Sequence, residues 1–521
     1  FASACVASGT PVPTATHGPS RIPAGSASPS AAPPTPAPTA VPTPTIVRRP
    51  LVPVTNFRAP GTETSLEEVL AVLAGTSKRY AKVEVVEGQR LKVLTALGLG
   101  LDAAARLEAA SDVAKLKADL VAARDRLGFL VVDDIDPSVK ALGWEGTFLF
   151  GDERVASSDA WPLQAEFQVG GGGEPSLPAP RYDPATAWTL VAGGDILLDR
   201  GVALAIKGAA SGADFPFDGG TVKINSRCKD CSPRGWDLPR SERTGNAGAV
   251  RALLQGADLA IANFENPAPD AFRFHSNGTV FSANPALIAG LKDAGIDFVS
   301  LANNHIRDAG AKGILQTIDH LDGFGIAHAG AGANLAAART PALLHAGGQT
   351  VAILGYDTIA GGYFATDSRA GSAPLTAANV TVDVAAARKA GADIVIVFPH
   401  WGTEYDPTPF KGQRTLAQAA IDAGADMVIG NHAHWAAGME VYKGKPIWYA
   451  LGNFVFDQTW SEPTMEGITL ELTFDGARLV QIRMRPHLIL DRAQPNFMDP
   501  AGSGAVVMGQ VWAASKGLLD W

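Results

Sequence analysis

DIVIVFPHWGTEYDPTPFKGQRTLAQAAIDAGADMVIGNHAHW (393–435) decides the fold of this 521-residue chain. Its first apolar run, rich in β-branched residues, reads as a buried strand. RTLAQAAIDAG then reads as a helix closed by a glycine suited to the C-cap, and DMVIG as a second strand. Each strand runs straight into histidine: His400 after the first, His432 and His434 after the second. The same alternation recurs outward from this unit. WTLVAGGDILL, DLAIANFE, DFVSLANNH, TVAILGYD and PIWYALGNFVF are short apolar runs, and NPALIAGLKDAG, AKGILQTIDHLDGFG and TVDVAAARKAG are helices that end on glycine. Strand, helix, strand repeated in this way predicts an α/β domain from Trp188 onward. GITLELTFDGARLVQIRMRPHLI (467–489) is expected to form a hairpin turning at Asp475-Gly476.

The rest of the chain is of different material. Residues 7 to about 60 hold 14 of the 36 prolines, and no acidic residue precedes Glu63. Such a composition buries too little apolar area to offset ordering entropy, so residues 1–60 are expected to be a disordered stalk rich in Pro, Ala, Ser and Thr. FASAC at the start resembles the end of a bacterial lipoprotein signal, with Cys5 as the lipidated residue. The reading is of an extracytoplasmic protein anchored to the membrane through that lipid. Residues 61–168 open with a Ser65/Glu68 capping spacing and continue as helix and strand, which predicts a small α/β accessory domain. RLEAASDVAKLKADLVAARDRLG is expected to be one amphipathic helix within it. VGGGGEPSLPAP marks a linker at 169–187, and residues 491–521 form a C-terminal extension to the main domain, 188–490.

Charge and cysteine count exclude several classes. There are 43 basic against 52 acidic residues, a formal net charge of −9, so no basic face offers itself to nucleic acid. Three cysteines exclude a disulfide-rich scaffold, and no apolar run of 18 residues spans a bilayer. Cys228 and Cys231 lie in a polar loop with no second pair for zinc, so a local disulfide is the expected state outside the cytoplasm.

In an open α/β sheet the functional groups belong just past the carboxyl ends of the strands. Asp195 follows LVAGG, Asn263 and Glu265 follow LAIA, Asn303, Asn304 and His305 follow FVSLA, and His400, His432 and His434 close the later strands. Neutral imidazoles with carboxylate and amide oxygens suit one or two divalent ions (Mn, Fe or Zn), with Glu265 as the bridging carboxylate. His432 and His434, two residues apart in an extended segment, are expected to point the same way. Arg200 and Arg307 are candidate anion clamps, although Arg307 could equally pair with Asp308. Asn303, Trp401, Glu404, Tyr405 and Asn453 are candidate substrate contacts.

GGDILLDRG (193–201), NFENP (263–267), LANNHIRDAG (301–310), PHWGTEY (399–405) and GNHAHWAAGMEVYKGKPIWYALGNFVFD (430–457), in this order, resemble the capsule synthesis protein family, CapA, a divergent branch of the calcineurin-like metallophosphoesterases. The resemblance covers about 188–490. It implies a four-layer α/β/β/α sandwich, Asn304 as a metal ligand beside Asp195, Glu265, His400, His432 and His434, and His305 as the catalytic histidine. It also implies a part in making, exporting or anchoring poly-γ-glutamate or a similar anionic envelope polymer, with membrane-bound synthase subunits as partners. The metal would lower the pKa of water and so supply a nucleophile. Where the wider superfamily has Asp-x-His, this chain has Asp195, Ile196 and Leu197, so one histidine ligand is missing. That loss keeps a second reading open: a non-catalytic polymer-binding scaffold on a degenerate phosphoesterase fold.

Overall fold

A computed structural model describes residues 45–169, 181–359 and 361–521. Cys5, most of the Pro-rich stretch and residues 170–180 of the expected linker lie outside the described residues.

Two sheets pack face to face. The larger has ten strands; its core runs Glu466–Asp475, Trp188–Ile196, Leu259–Phe264, Phe298–Ser300 and Ala327–Ala329, with Asn453–Val455 also paired to Trp188–Ile196. The second has six strands, ordered Ala342–Ala346, Gln349–Asp357, Ile394–His400, Met427–Ile429, Lys445–Trp448 and Met439–Tyr442. Strand side chains alternate between faces, and the burial follows. Leu190, Ala192, Ile261 and Phe298 from the first sheet meet Ile353, Ile394, Ile396 and Met427 from the second in one core. The alternate residues Val191, Ala260, Ala262 and Val299 pack beneath helices Arg200–Gly208, Ala249–Gly256 and Gly310–Phe324. Ala352, Leu354, Val395 and Val397 pack beneath Ala377–Lys389 and Lys411–Asp422. The result is a four-layer α/β/β/α sandwich. Glycines close the helices as the sequence implies: Gly325, Gly391 and Gly424 take φ of +67°, +96° and +107°, conformations that cost a residue with a Cβ. The long hairpin pairs Glu466–Asp475 with Arg478–Leu490, and Gly476 in its turn has φ +57°.

Several boundaries differ from the sequence reading. The first described strand, Thr45–Asn56, lies inside the stretch expected as stalk; it pairs with Arg126–Val131, Val139–Ala141 and Gln164–Val169. Averaging composition over 1–60 hides the β-branched run that makes it a strand. The expected long helix starts only at Val113, because the Asp112 side chain accepts from Lys115 N and caps it, while Glu108–Ala110 upstream is a strand parallel to Lys82–Val86. This smaller sheet has its own apolar core. It docks on the long hairpin, where Gln481 exchanges two hydrogen bonds with the Ala141 backbone. The segment after residue 490 is no appendage either. Gln494–Phe497 joins the large sheet, and helix Ala505–Ala514 buries Val507, Met508 and Val511 in the inter-sheet core. No helix among the described residues is long and apolar enough to cross a membrane.

Candidate metal centre

The parallel strands of both sheets end on one edge, and their next residues meet there. The large sheet brings Asp195, Glu265, Asn304 and His305; the second brings His400, His432 and His434. His400 Nε2 is the meeting point, 2.8 Å from Asn304 Oδ1, 3.0 Å from His432 Nδ1 and 3.6 Å from Glu265 Oε1. His434 lies 3.5 Å from Asp195 Oδ2 through Nδ1 and 3.8 Å from Glu265 Oε1 through Nε2. Two trios with donor atoms within 4.8 Å of one another follow, Glu265 with His400 and His432, and Asp195 with Glu265 and His434. Glu265 is common to both.

His432 and His434 do not reach the cluster as an extended pair. Their φ values are +93° and +57°, so the GNHAHW loop turns at both, and each histidine serves a different trio. Backbone held in the left-handed region by non-glycine residues is strain of the kind that collects at functional sites. Arg200 (φ +51°) and Tyr405 (φ +64°), also at this edge, share it.

The electrostatics suit a cation. Burial holds the histidines down, His432 to about 4 and His434 to about 3, and His400 well below its ordinary value with help from His432 and His434. All three are therefore neutral, with lone pairs to give. Burial also pushes Asp195 up to about 7, and burial together with Asp195 and Glu404 pushes Glu265 well above the usual carboxylate range. Both Glu265 oxygens are buried without a hydrogen-bond partner. Leaving such atoms unsatisfied costs about 1–3 kcal/mol or more. A divalent ion placed among these donors would satisfy them, so the residues present fit the group that the donor set implies.

A model of the bacterial capsule synthesis protein family, PGA_cap, matches residues 189–458, a segment that contains every residue of this cluster. The chain belongs to the PGA_cap family. It is 36% identical to the capsule biosynthesis protein CapA of Bacillus anthracis over 260 residues, 48% of this chain and 61% of that protein, so it spans less than two thirds of that relative. It is 32% identical over 286 residues to a Mycobacterium tuberculosis protein named "probable polyglutamine synthesis accessory protein", covering 52% of this chain and 74% of the other. Among solved structures, Haemophilus influenzae NAD nucleotidase is similar at 15% identity over 58% of this chain and 50% of that one, with a TM-score of 0.34. That score is too low to carry any argument.

The other candidate residues of this PGA_cap chain divide into three groups. His305, Arg200, Glu404 and Tyr405 line a cavity of about 380 Å³ that reaches His434. His305 Nδ1 is held by Asp308 Oδ2 at 2.8 Å, and Nε2 lies 4.0 Å from Glu265 Oε1. Asn303 and Asn453 are fully buried and position their neighbours: Asn303 Oδ1 accepts from His305 N at 3.1 Å, and Asn453 Oδ1 lies 2.8 Å from His434 Nδ1. Trp401 and Arg307 are elsewhere. Trp401 is in the core, its indole N–H donating to Tyr449 O, because its strand is covered by helices on that face. Arg307 donates to Gly362 O at 3.2 Å at the surface, away from the cavity lining, and Asp308 is committed to His305. Arg200, expected as a free clamp, is ion-paired with Asp457 and donates to Gly278 O at 2.7 Å. Leu197 sits in a small apolar cluster with Phe281, Phe456 and Ile489, which fills the place of the missing histidine with hydrocarbon.

Two residues take roles that the sequence reading of the site did not assign to them. Asn263 Nδ2 donates to Asp195 Oδ1 at 2.7 Å and lies 3.2 Å from His400 Nδ1, tying the two sheets together beneath the cluster. Asp308, three residues after His305, orients it. Both fall in the quoted motifs, so the signal was present, but only the fold shows which partner each one takes.

Proposed function

We propose that this PGA_cap protein works in the synthesis, export or anchoring of poly-γ-glutamate or another anionic capsule polymer as a metal-dependent hydrolase. The protein acts outside the cytoplasm, tethered through Cys5, beside membrane-bound synthase subunits. The observation that carries the reading is Glu265, whose two unpartnered buried oxygens face neutral imidazoles on either side. Asp195, Glu265, Asn304, His400, His432 and His434 would hold one or two ions of Mn, Fe or Zn. A bound ion supplies Lewis acidity towards a phosphoryl or carbonyl oxygen and makes water more acidic. The chain's own groups do the rest. Asp308 fixes the His305 ring, so Nε2 is the atom that hands a proton to the leaving group. Asn263 and Asn453 hold Asp195 and His434 in place.

Elemental mass spectrometry on protein purified without chelator tests this, comparing the parent with a His432→Ala/His434→Ala variant. One to two equivalents of metal, lost in the variant, together with hydrolysis of phosphoesters or γ-glutamyl polymers by the parent, is the expected result. A parent free of metal even after reconstitution would sink it. The second reading, a polymer-binding scaffold without catalysis, draws on Leu197, and that same metal-free result is what it expects.

A further inference from the structure

The cavity that reaches His305 and His434 is also lined by the tip of the hairpin of Thr221–Cys228 and Leu238–Gly245. Cys228 and Cys231 are disulfide-bonded at the end of its first strand, and Arg227 makes a two-pronged ion pair with Glu462, so the tip is pinned on two sides. Two guanidinium groups line the cavity, and their situations differ. Arg200 is neutralised by Asp457 and lies over the Phe281 ring. Arg234, at the hairpin tip, has no carboxylate partner among the described residues; its guanidinium lies 4.4 Å from the centre of the Trp460 ring. Trp460 meets Tyr405 edge-on at 4.9 Å, and Tyr405 stacks on His434 at 6.0 Å. One uncompensated cation thus stands two aromatic rings away from a member of the metal cluster. Trp236, on the same tip, extends the wall, 6.2 Å from Trp460.

An arginine without a partner, beside aromatic faces, fits an anion carried on an aliphatic stem: the guanidinium takes the oxygens in a fork, and the rings cover the methylenes. Glu404, in the same lining, disfavours an anion near it, while Asp457 is spent on Arg200. We propose that Arg234 is the specificity-determining residue of this site, taking a substrate carboxylate on the unit next to the one that reacts, with Trp460 and Tyr405 packed against its stem. The choice of a glutamyl polymer as ligand rests on the hydrolase reading; the position of the cation does not.

Calorimetric titration of a γ-linked glutamate decamer into the full chain, the Arg234→Gln, Arg234→Lys and Trp460→Leu variants tests this, with inorganic phosphate titrated in parallel and thermal melts confirming that each variant folds. Decamer affinity should fall about tenfold in R234Q and in W460L and less in R234K, while phosphate affinity holds. Equal decamer affinity in parent and R234Q overturns the proposal, as does an equal loss of phosphate and decamer binding, which makes Arg234 a general anion contact. Metal content, measured on the same samples, is a separate readout: its absence from the parent overturns the hydrolase reading, and a tenfold loss in R234Q still upholds the subsite.

Discussion

His305 and Leu197 define the chemistry of the site from opposite sides. The His305 ring packs on Phe281 at 4.1 Å, and Phe281 belongs to the same apolar cluster as Leu197. The apolar cluster that includes Leu197 therefore backs the ring proposed to donate the proton. His305→Ala removes that proton source without touching the donor trios. Turnover is expected to fall by at least the hundredfold typical of general acid catalysis, with metal content unchanged. Unaltered turnover in this variant would take His305 out of the mechanism. Asn303 and Asn263 were read from the sequence as strand-end residues and Asn453 as a substrate contact; that they spend their amides on His305, Asp195 and His434 depends on how the fold places each pair, which the sequence pattern does not specify.

At the scale of elements, the long hairpin Glu466–Asp475 and Arg478–Leu490 joins the smaller sheet to the sandwich. Glu471 is its buried charge. Arg485 approaches it at 2.7 Å and Arg483 at 3.3 Å, and it accepts from Asp152 N at 3.0 Å. Burial raises its pKa, but the two arginines outweigh burial and hold it at about 2, while burial and Glu471 push Asp152 up to about 6. A carboxylate depressed in the folded state contributes stability that is present above its unfolded value of 4.5 and lost as pH falls towards 2. The depression corresponds to about 3 kcal/mol. Glu471→Gln is therefore expected to lower unfolding free energy by about that much at pH 7, where it takes this carboxylate from two part-buried arginines, and by progressively less between pH 4.5 and 2. Denaturant midpoints across that range check it; a difference that does not change with pH would rule out the arginine pair as its cause. The hairpin was legible in the sequence because alternation and Asp-Gly are local signals. Its docking partner was not, since it involves Asp152 and Ala141, more than 300 residues away.

At the scale of the whole molecule, the chain closes on itself at both described ends. Phe57 meets Trp512 and Trp521 at 5.6 and 5.3 Å, so the start of the smaller sheet packs on the last residues. Deleting residues 491–521 removes the strand Gln494–Phe497, which lies between Thr221–Cys228 and Arg478–Leu490, and four buried side chains of the inter-sheet core, Met498, Val507, Met508 and Val511, about 6–12 kcal/mol of burial at 1.5–3 kcal/mol each. That is comparable with the whole stability of a typical domain. The truncated chain is expected to aggregate or lose its cooperative melt, measured by size exclusion and circular dichroism; a truncated monomer with the parent's melting profile would show the segment to be dispensable.

The sequence by itself determined the α/β alternation, the helix ends at glycine, the strand-end positions of Asp195, Glu265, Asn304, His305, His400, His432 and His434, and the hairpin at Gly476. These rest on periodicity and backbone preference, which act within a few residues. Only the tertiary structure decided that Glu265 is shared by two trios, that His432 and His434 turn to different sides, that Arg200 is spent on Asp457 while Arg234 has no carboxylate partner among the described residues, and that residues 45–56 and 494–514 belong to sheets and core. Those outcomes depend on which distant groups burial brings together, and on which charges then find partners.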